Sequence, residues 1–137
     1  MRIRIGAKIL MAISTFLVLA CSDDDSTGPT VLPECEDIDS ITVTAGAELT
    51  FAWAPNCRLM GWNIEPVGSG ADQWLVLSEG ANSISPPITY GVVPEGAREI
   101  HAAEALVPGV EYTLYLFKWI GPGPQDGVPV ASETFTR

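Results

Sequence analysis

The chain has 137 residues, of which 7 are lysine or arginine and 17 are aspartate or glutamate, giving a formal net charge of −10 at neutral pH. That length suits one domain around one core, and so acidic a surface repels phosphate backbones, which argues against nucleic-acid binding. A single histidine and three cysteines leave little scope for a metal centre or a catalytic triad.

The first element is a targeting segment. Arg2, Arg4 and Lys8 precede an apolar run from Ile9 to Ala20, the order of a secretory signal. The run is short of the roughly 20 residues that a membrane-spanning helix requires. It ends in Leu17-Val18-Leu19-Ala20-Cys21, which resembles the lipobox of bacterial lipoproteins, although Val18 and Leu19 depart from that family's commonest residues. The resemblance implies cleavage after residue 20, lipidation of the Cys21 thiol and a membrane anchor at that position. It also implies a place in the cell envelope. Ser22 at the second mature position favours the outer membrane, on its periplasmic side or at the surface, over the inner one. An ordinary cleaved signal with a chance cysteine is the alternative. Loss of residues 1–20 leaves Arg58, Arg98, Lys118 and Arg137 against the same 17 acidic residues, a formal charge near −13.

Residues 21–34 follow as a lipidated, acidic, flexible tether. Ser22-Asp23-Asp24-Asp25-Ser26-Thr27-Gly28-Pro29 has too little apolar surface to fold. Acidic runs in this position also resemble the surface-export signals of some lipoproteins. With Cys21 lipidated, Cys35 and Cys57 remain, and in an oxidising compartment such a pair is expected to form one disulfide. Glu34, Glu36, Asp37 and Asp39 lack the spacing of a calcium loop and read as a solvated acidic face.

From residue 40 the pattern is that of strands. Ile41-Thr42-Val43-Thr44 is short and β-branched. Glu48–Trp53 alternates, with Leu49, Phe51 and Trp53 on one face. Trp62–Glu65 alternates again, and Trp74–Leu77 is a shorter apolar run. Residues 79–98 are rich in Gly, Pro, Ser and Asn, with one candidate strand at Ile88–Tyr90. Residues 99–106 read as a further strand or an irregular edge, although the window Glu95–Leu106 comes nearest to a helical period. Val110–Ile120 is the longest β-favouring stretch, and Val128–Thr136 is the last. Short strands separated by Gly/Pro turns predict an all-β sandwich over residues 35–137.

Leu106-Val107-Pro108-Gly109-Val110-Glu111-Tyr112 is similar to the Leu-x-Pro-Gly-x-x-Tyr corner of fibronectin type III domains. Trp53 followed by Ala54-Pro55 and the closing Ser132–Thr136 also resemble that family. The resemblance implies an immunoglobulin-like β-sandwich of about seven strands, in which the Tyr112 hydroxyl bonds back to the loop before it. The stretch between Leu77 and Leu106 is longer than the family's usual connection. In such a sandwich the start of the first strand lies near the end of the second, so Cys35 and Cys57 come to the same end.

No catalytic constellation accompanies this fold. His101 stands alone, Gly68-Ser69-Gly70 has the wrong spacing for a nucleophile elbow, and no pattern calls for a metal or another cofactor. The expectation is a non-enzymatic protein. The feature that points to binding is aromatic. If Tyr112, Leu114 and Leu116 face inward, alternation turns Tyr115, Phe117 and Trp119 outward. Such a stripe suits a protein or glycan partner. The competing expectation is that residues 79–98, or Trp74 and its neighbours, fold over the stripe and bury it. The predicted function is a membrane-anchored binding or adhesion module, with a structural spacer in an envelope assembly as the alternative.

Overall fold

The computed structural model describes residues 31–121 and 126–137. The expected signal segment, the expected lipidation site Cys21 and the expected tether up to residue 30 lie outside the described residues. Eight strands follow in chain order: β1 (Ser40–Thr44), β2 (Thr50–Ala54), β3 (Gly61–Pro66), β4 (Trp74–Ser78), β5 (Ile88–Thr89), β6 (Ala97–His101), β7 (Glu111–Trp119) and β8 (Gly127–Thr136). They form two antiparallel sheets, a small one in the order β1-β2-β5 and a large one in the order β6-β4-β3-β7-β8. This is the expected all-β sandwich with one additional strand. The addition is β6, which pairs with β4 inside the window that came nearest to a helical period.

Alternation explains what each sheet turns inward. From the small sheet, Phe51 and Trp53 of β2 and Ile88 of β5 are buried, with Leu49 just before β2. Opposite them lie Trp62 and Ile64 of β3, Trp74 and Val76 of β4, Tyr112, Leu114 and Leu116 of β7, and Phe135 of β8. Each fully buried aliphatic or aromatic side chain contributes about 1.5–3 kcal/mol. Aromatic contacts organise this layer. The Phe51 and Phe135 rings meet edge to face at 5.2 Å, and Trp74 meets both Trp62 at 4.9 Å and Tyr90 at 5.0 Å in the same manner.

The corner before β7 forms as the resemblance implied. Gly109 takes a φ of 81°, and the Val110 N–H donates to the Val107 carbonyl at 3.2 Å, closing a Pro-Gly turn. The Val107 N–H then donates to the Tyr112 hydroxyl oxygen at 2.9 Å. That bond fixes Tyr112 at the start of β7, where its ring stacks on Phe135 with centroids 5.8 Å apart.

At the opposite end, Cys35 and Cys57 form the expected disulfide. Both are buried, at 3% and 1% exposure. The Trp53 indole N–H donates to the Cys57 carbonyl at 2.9 Å. Arg58 binds the incoming chain three times: its N–H donates to the Pro33 carbonyl, its carbonyl accepts from the Cys35 N–H, and its Nε donates to the Leu32 carbonyl. The last residues of the expected tether therefore lie against the domain.

Residues 79–96 cross from one sheet to the other. Leu59 and Ile84 exchange backbone hydrogen bonds at 2.8 and 3.0 Å, which carries Ile84 into the core. The segment then supplies β5 to the small sheet before β6 returns to the edge of the large one.

Candidate functional site

Strand β7 places the three expected aromatics. Tyr112, Leu114 and Leu116 are buried inward, so Tyr115, Phe117 and Trp119 share the outer face of the large sheet. All three are half-buried. Register sets their neighbours. Tyr115 lies opposite Asn63, which lies opposite Leu75; Phe117 lies opposite Gly61, which lies opposite Leu77. Leu75 and Leu77 are also half-buried. A Cβ on Gly61 would come within 2.8 Å of Leu77 Cδ2, so the Leu77 side chain occupies the space that the glycine leaves open. Two aliphatic side chains of β4 thus extend the aromatic stripe into an apolar face across three strands.

Trp74 does not cover this face, and with residues 79–98 in place the three aromatics stay half-buried rather than buried. Ile84 and Ile88 enter the core, and Trp74 points inward against Trp62 and Tyr90. Trp74 also donates its indole N–H to Glu99 Oε1 at 2.9 Å, across the edge of the sheet. The crossing segment also meets the backbone of β7. The Asn82 amide oxygen accepts from the Trp119 N–H at 2.7 Å, and its Nδ2 donates to the Trp119 carbonyl at 3.1 Å. Asn82, at 3% exposure, behaves as a short piece of added strand, and its Nδ2 also donates to Glu34 Oε2 at 2.9 Å. The Trp119 side chain borders a shallow concavity with Ser78, Glu79 and Arg98.

A polar group interrupts the apolar face. Asn63 is 7% exposed, and its Nδ2 donates to Glu65 Oε1 at 2.8 Å and to Asp72 Oδ1 at 2.7 Å. Its Oδ1 is buried with no hydrogen-bond partner among the described residues, as is the Trp62 indole nitrogen. The amide's two donors hold the two carboxylates together beside Tyr115. Sequence reading missed this cluster, because an asparagine at an outward strand position carries no signal of its own.

The far end of the sandwich carries an open pocket of mixed lining, in which Leu49, Val92 and Leu106 lie beside Glu48, Tyr90 and Arg137. The Tyr90 hydroxyl donates to the Glu104 carbonyl at 2.7 Å. Burial pushes the Tyr90 phenol up to about 12, because the charged phenolate would lose hydration there.

His101 lies on edge strand β6, half-exposed, with Nε2 3.3 Å from Glu104 Oε1. Among the described residues, no three His, Cys, Asp or Glu side chains are placed to hold a metal ion. No helix among them is long and apolar enough to cross a membrane.

The fold and this surface define the class: a disulfide-closed all-β sandwich of two antiparallel sheets with an apolar outer face on the larger one. Comparison of the chain with protein-family models, with curated proteins and with solved structures finds no match.

Proposed function

We propose that this chain is an envelope lipoprotein, anchored through lipid at Cys21, whose sandwich binds a protein or glycan partner without catalysis. The observation that carries the binding reading is the outer face on which Leu75 and Leu77 share cross-strand rows with Tyr115 and Phe117, on either side of Asn63 and Gly61, with Trp119 at its end. These side chains lie on the face of the strands that points away from the core. Large half-buried aromatics flanked by polar residues are the usual anchors of recognition surfaces. The fibronectin type III reading is supported by the strand order and the Tyr112 corner. The extra strand β6 departs from it.

An anchor at Cys21 fits the way the chain enters the domain. Leu32–Cys35 is bonded to Arg58 beside the disulfide, so a tether would hold the sandwich by that end and leave the outer sheet face accessible from the side. The test uses the anchored protein, immobilised in detergent and exposed to solubilised envelope material. Parallel samples are treated with protease or with periodate to distinguish protein from glycan ligands. Replacing Tyr115, Phe117 and Trp119 together by serine is expected to lower retention at least tenfold, with the thermal transition still cooperative. Unchanged retention would overturn the binding reading and leave the spacer role.

A further inference from the structure

Among the described residues the two sheets have four edge strands, which are not equally protected against pairing with another chain. Strand β8 carries Pro129 and a bulge at Val130, where Leu116 and Phe117 pair with Ala131 and Pro129. Strand β6 carries Arg98 and Glu99 and a bulge at Ile100. Strand β5 has two residues. These are the devices that block edge-to-edge pairing. Strand β1, Ser40-Ile41-Thr42-Val43-Thr44, has none of them: no charge, no proline, and an unbroken register with β2 over all five residues.

Its unpaired groups can be assigned. The Leu49 carbonyl accepts from the Tyr90 N–H, and the Ala54 carbonyl accepts from the Asp39 N–H. Backbone groups of a central strand alternate between neighbours, so Thr50, Ala52 and Ala54 face β1. Their partners Ser40, Thr42 and Thr44 face back, which turns the N–H and C=O groups of Ile41 and Val43 toward the open edge. Strand β8 approaches this corner without forming a ladder with β1. The Ile41 and Val43 side chains pack on the core yet remain half-buried, so an added strand would complete their burial.

Charge selects the occupant. Just before β1, Glu34, Glu36, Asp37 and Asp39 surround a concavity with Pro33 and Pro55. The two nearby cations are held by carbonyls: Lys118 Nζ donates to the Glu36 carbonyl at 2.7 Å and Arg58 Nε to the Leu32 carbonyl. A second copy of so acidic a chain would be repelled. We propose that β1 accepts an extended segment of a basic partner protein as an added antiparallel strand. Its alternating apolar side chains would cover Ile41 and Val43. A run of lysine or arginine at its carboxyl-terminal end would lie over the four carboxylates.

The proposal stands apart from the outer-face reading and is tested separately. The probe is a synthetic peptide of alternating valine and threonine that ends in three lysines, added to the mature disulfide-bonded protein. Saturable binding that weakens with salt is expected, together with slowed hydrogen exchange at the Ile41 and Val43 amides. Thr42→Lys, on an exposed side chain, should weaken binding at least tenfold, and Val43→Pro, which removes an edge donor outside the β2 ladder, should do the same. The Tyr115, Phe117 and Trp119 serine variant should bind the peptide normally. Equal affinity for a peptide with the same lysines but glycine and serine in place of the strand would overturn the proposal, as would unslowed exchange at Ile41 and Val43. Protection of those two amides by self-association alone would overturn it in favour of a second copy.

Discussion

Removing the disulfide tests the reasoning about the amino-terminal end most directly. The perturbation is Cys35→Ala with Cys57→Ala. The bridge spans a sequence separation of 22, for which the chain-entropy picture gives about 3.4 kcal/mol at 25 °C. Two deleted sulfurs, both buried, add a packing loss of about 1 kcal/mol. The expected loss is therefore about 4 kcal/mol, or a melting point lower by roughly 20 °C for a domain of this size. The assay is urea unfolding followed by tryptophan fluorescence, since Trp53 donates to the Cys57 carbonyl and reports on this end. The m-value should rise, because an unfolded chain without the cross-link exposes more surface. Protein reduced in denaturant and refolded under reductant keeps its sulfurs and should show the loop contribution alone. A total loss below about 1 kcal/mol would refute the argument, since loop closure would then contribute nothing to stability.

Gly61→Ala should destabilise by about 1–3 kcal/mol, because the new Cβ would clash with the Val76 carbonyl oxygen and sit 3.1 Å from Leu77 Cα; equilibrium unfolding measures it, and a neutral result would mean that β3 and β4 can separate freely. Tyr112→Phe keeps the ring stack on Phe135 but leaves the Val107 N–H without its acceptor, an expected cost of about 1–2 kcal/mol that calorimetry would detect. Tyr90 has a folded-state phenol raised from 10.0 to about 12, so its contribution is fully present below pH 10 and is lost as pH rises through 12, because the unfolded chain ionises first. Chemical unfolding measured between pH 9 and 12 should show that decline, and Tyr90→Phe should flatten it.

Much of the fold was legible because alternation and β-branching are local signals. Alternation puts Leu49, Phe51 and Trp53 on one face, the resemblance of the Tyr112 corner turns Tyr112, Leu114 and Leu116 inward, and all six are buried. The Pro108-Gly109 turn and Tyr112 announced their corner by chemistry that only a few turns require. What stayed hidden depends on contacts distant in sequence. Ile84 sits in a Gly- and Pro-rich stretch with no period, and its burial follows from its bridge to Leu59. Asn82 reads as a loop residue, yet it supplies the missing partners for Trp119. On the candidate face, the β7 aromatics were visible from one strand. Leu75 and Leu77 joined them only through register with β3, which a single strand cannot encode. The assignment of Trp74 as a possible cover failed for the same reason, since a four-residue apolar run does not reveal which of its faces turns inward.

The three hydrogen bonds between Leu32–Cys35 and Arg58, with the adjoining disulfide, have a mechanical consequence. Tension arriving along the chain from its amino-terminal side meets these bonds first and loads them together, then passes through the sulfur bridge to Cys57. From there it reaches the junction of β2 and β3, one strand in each sheet. Strand β1 lies between the two cysteines in sequence and is therefore short-circuited. A pull on the domain strains both layers at once and leaves the edge at Ile41 and Val43 unpeeled.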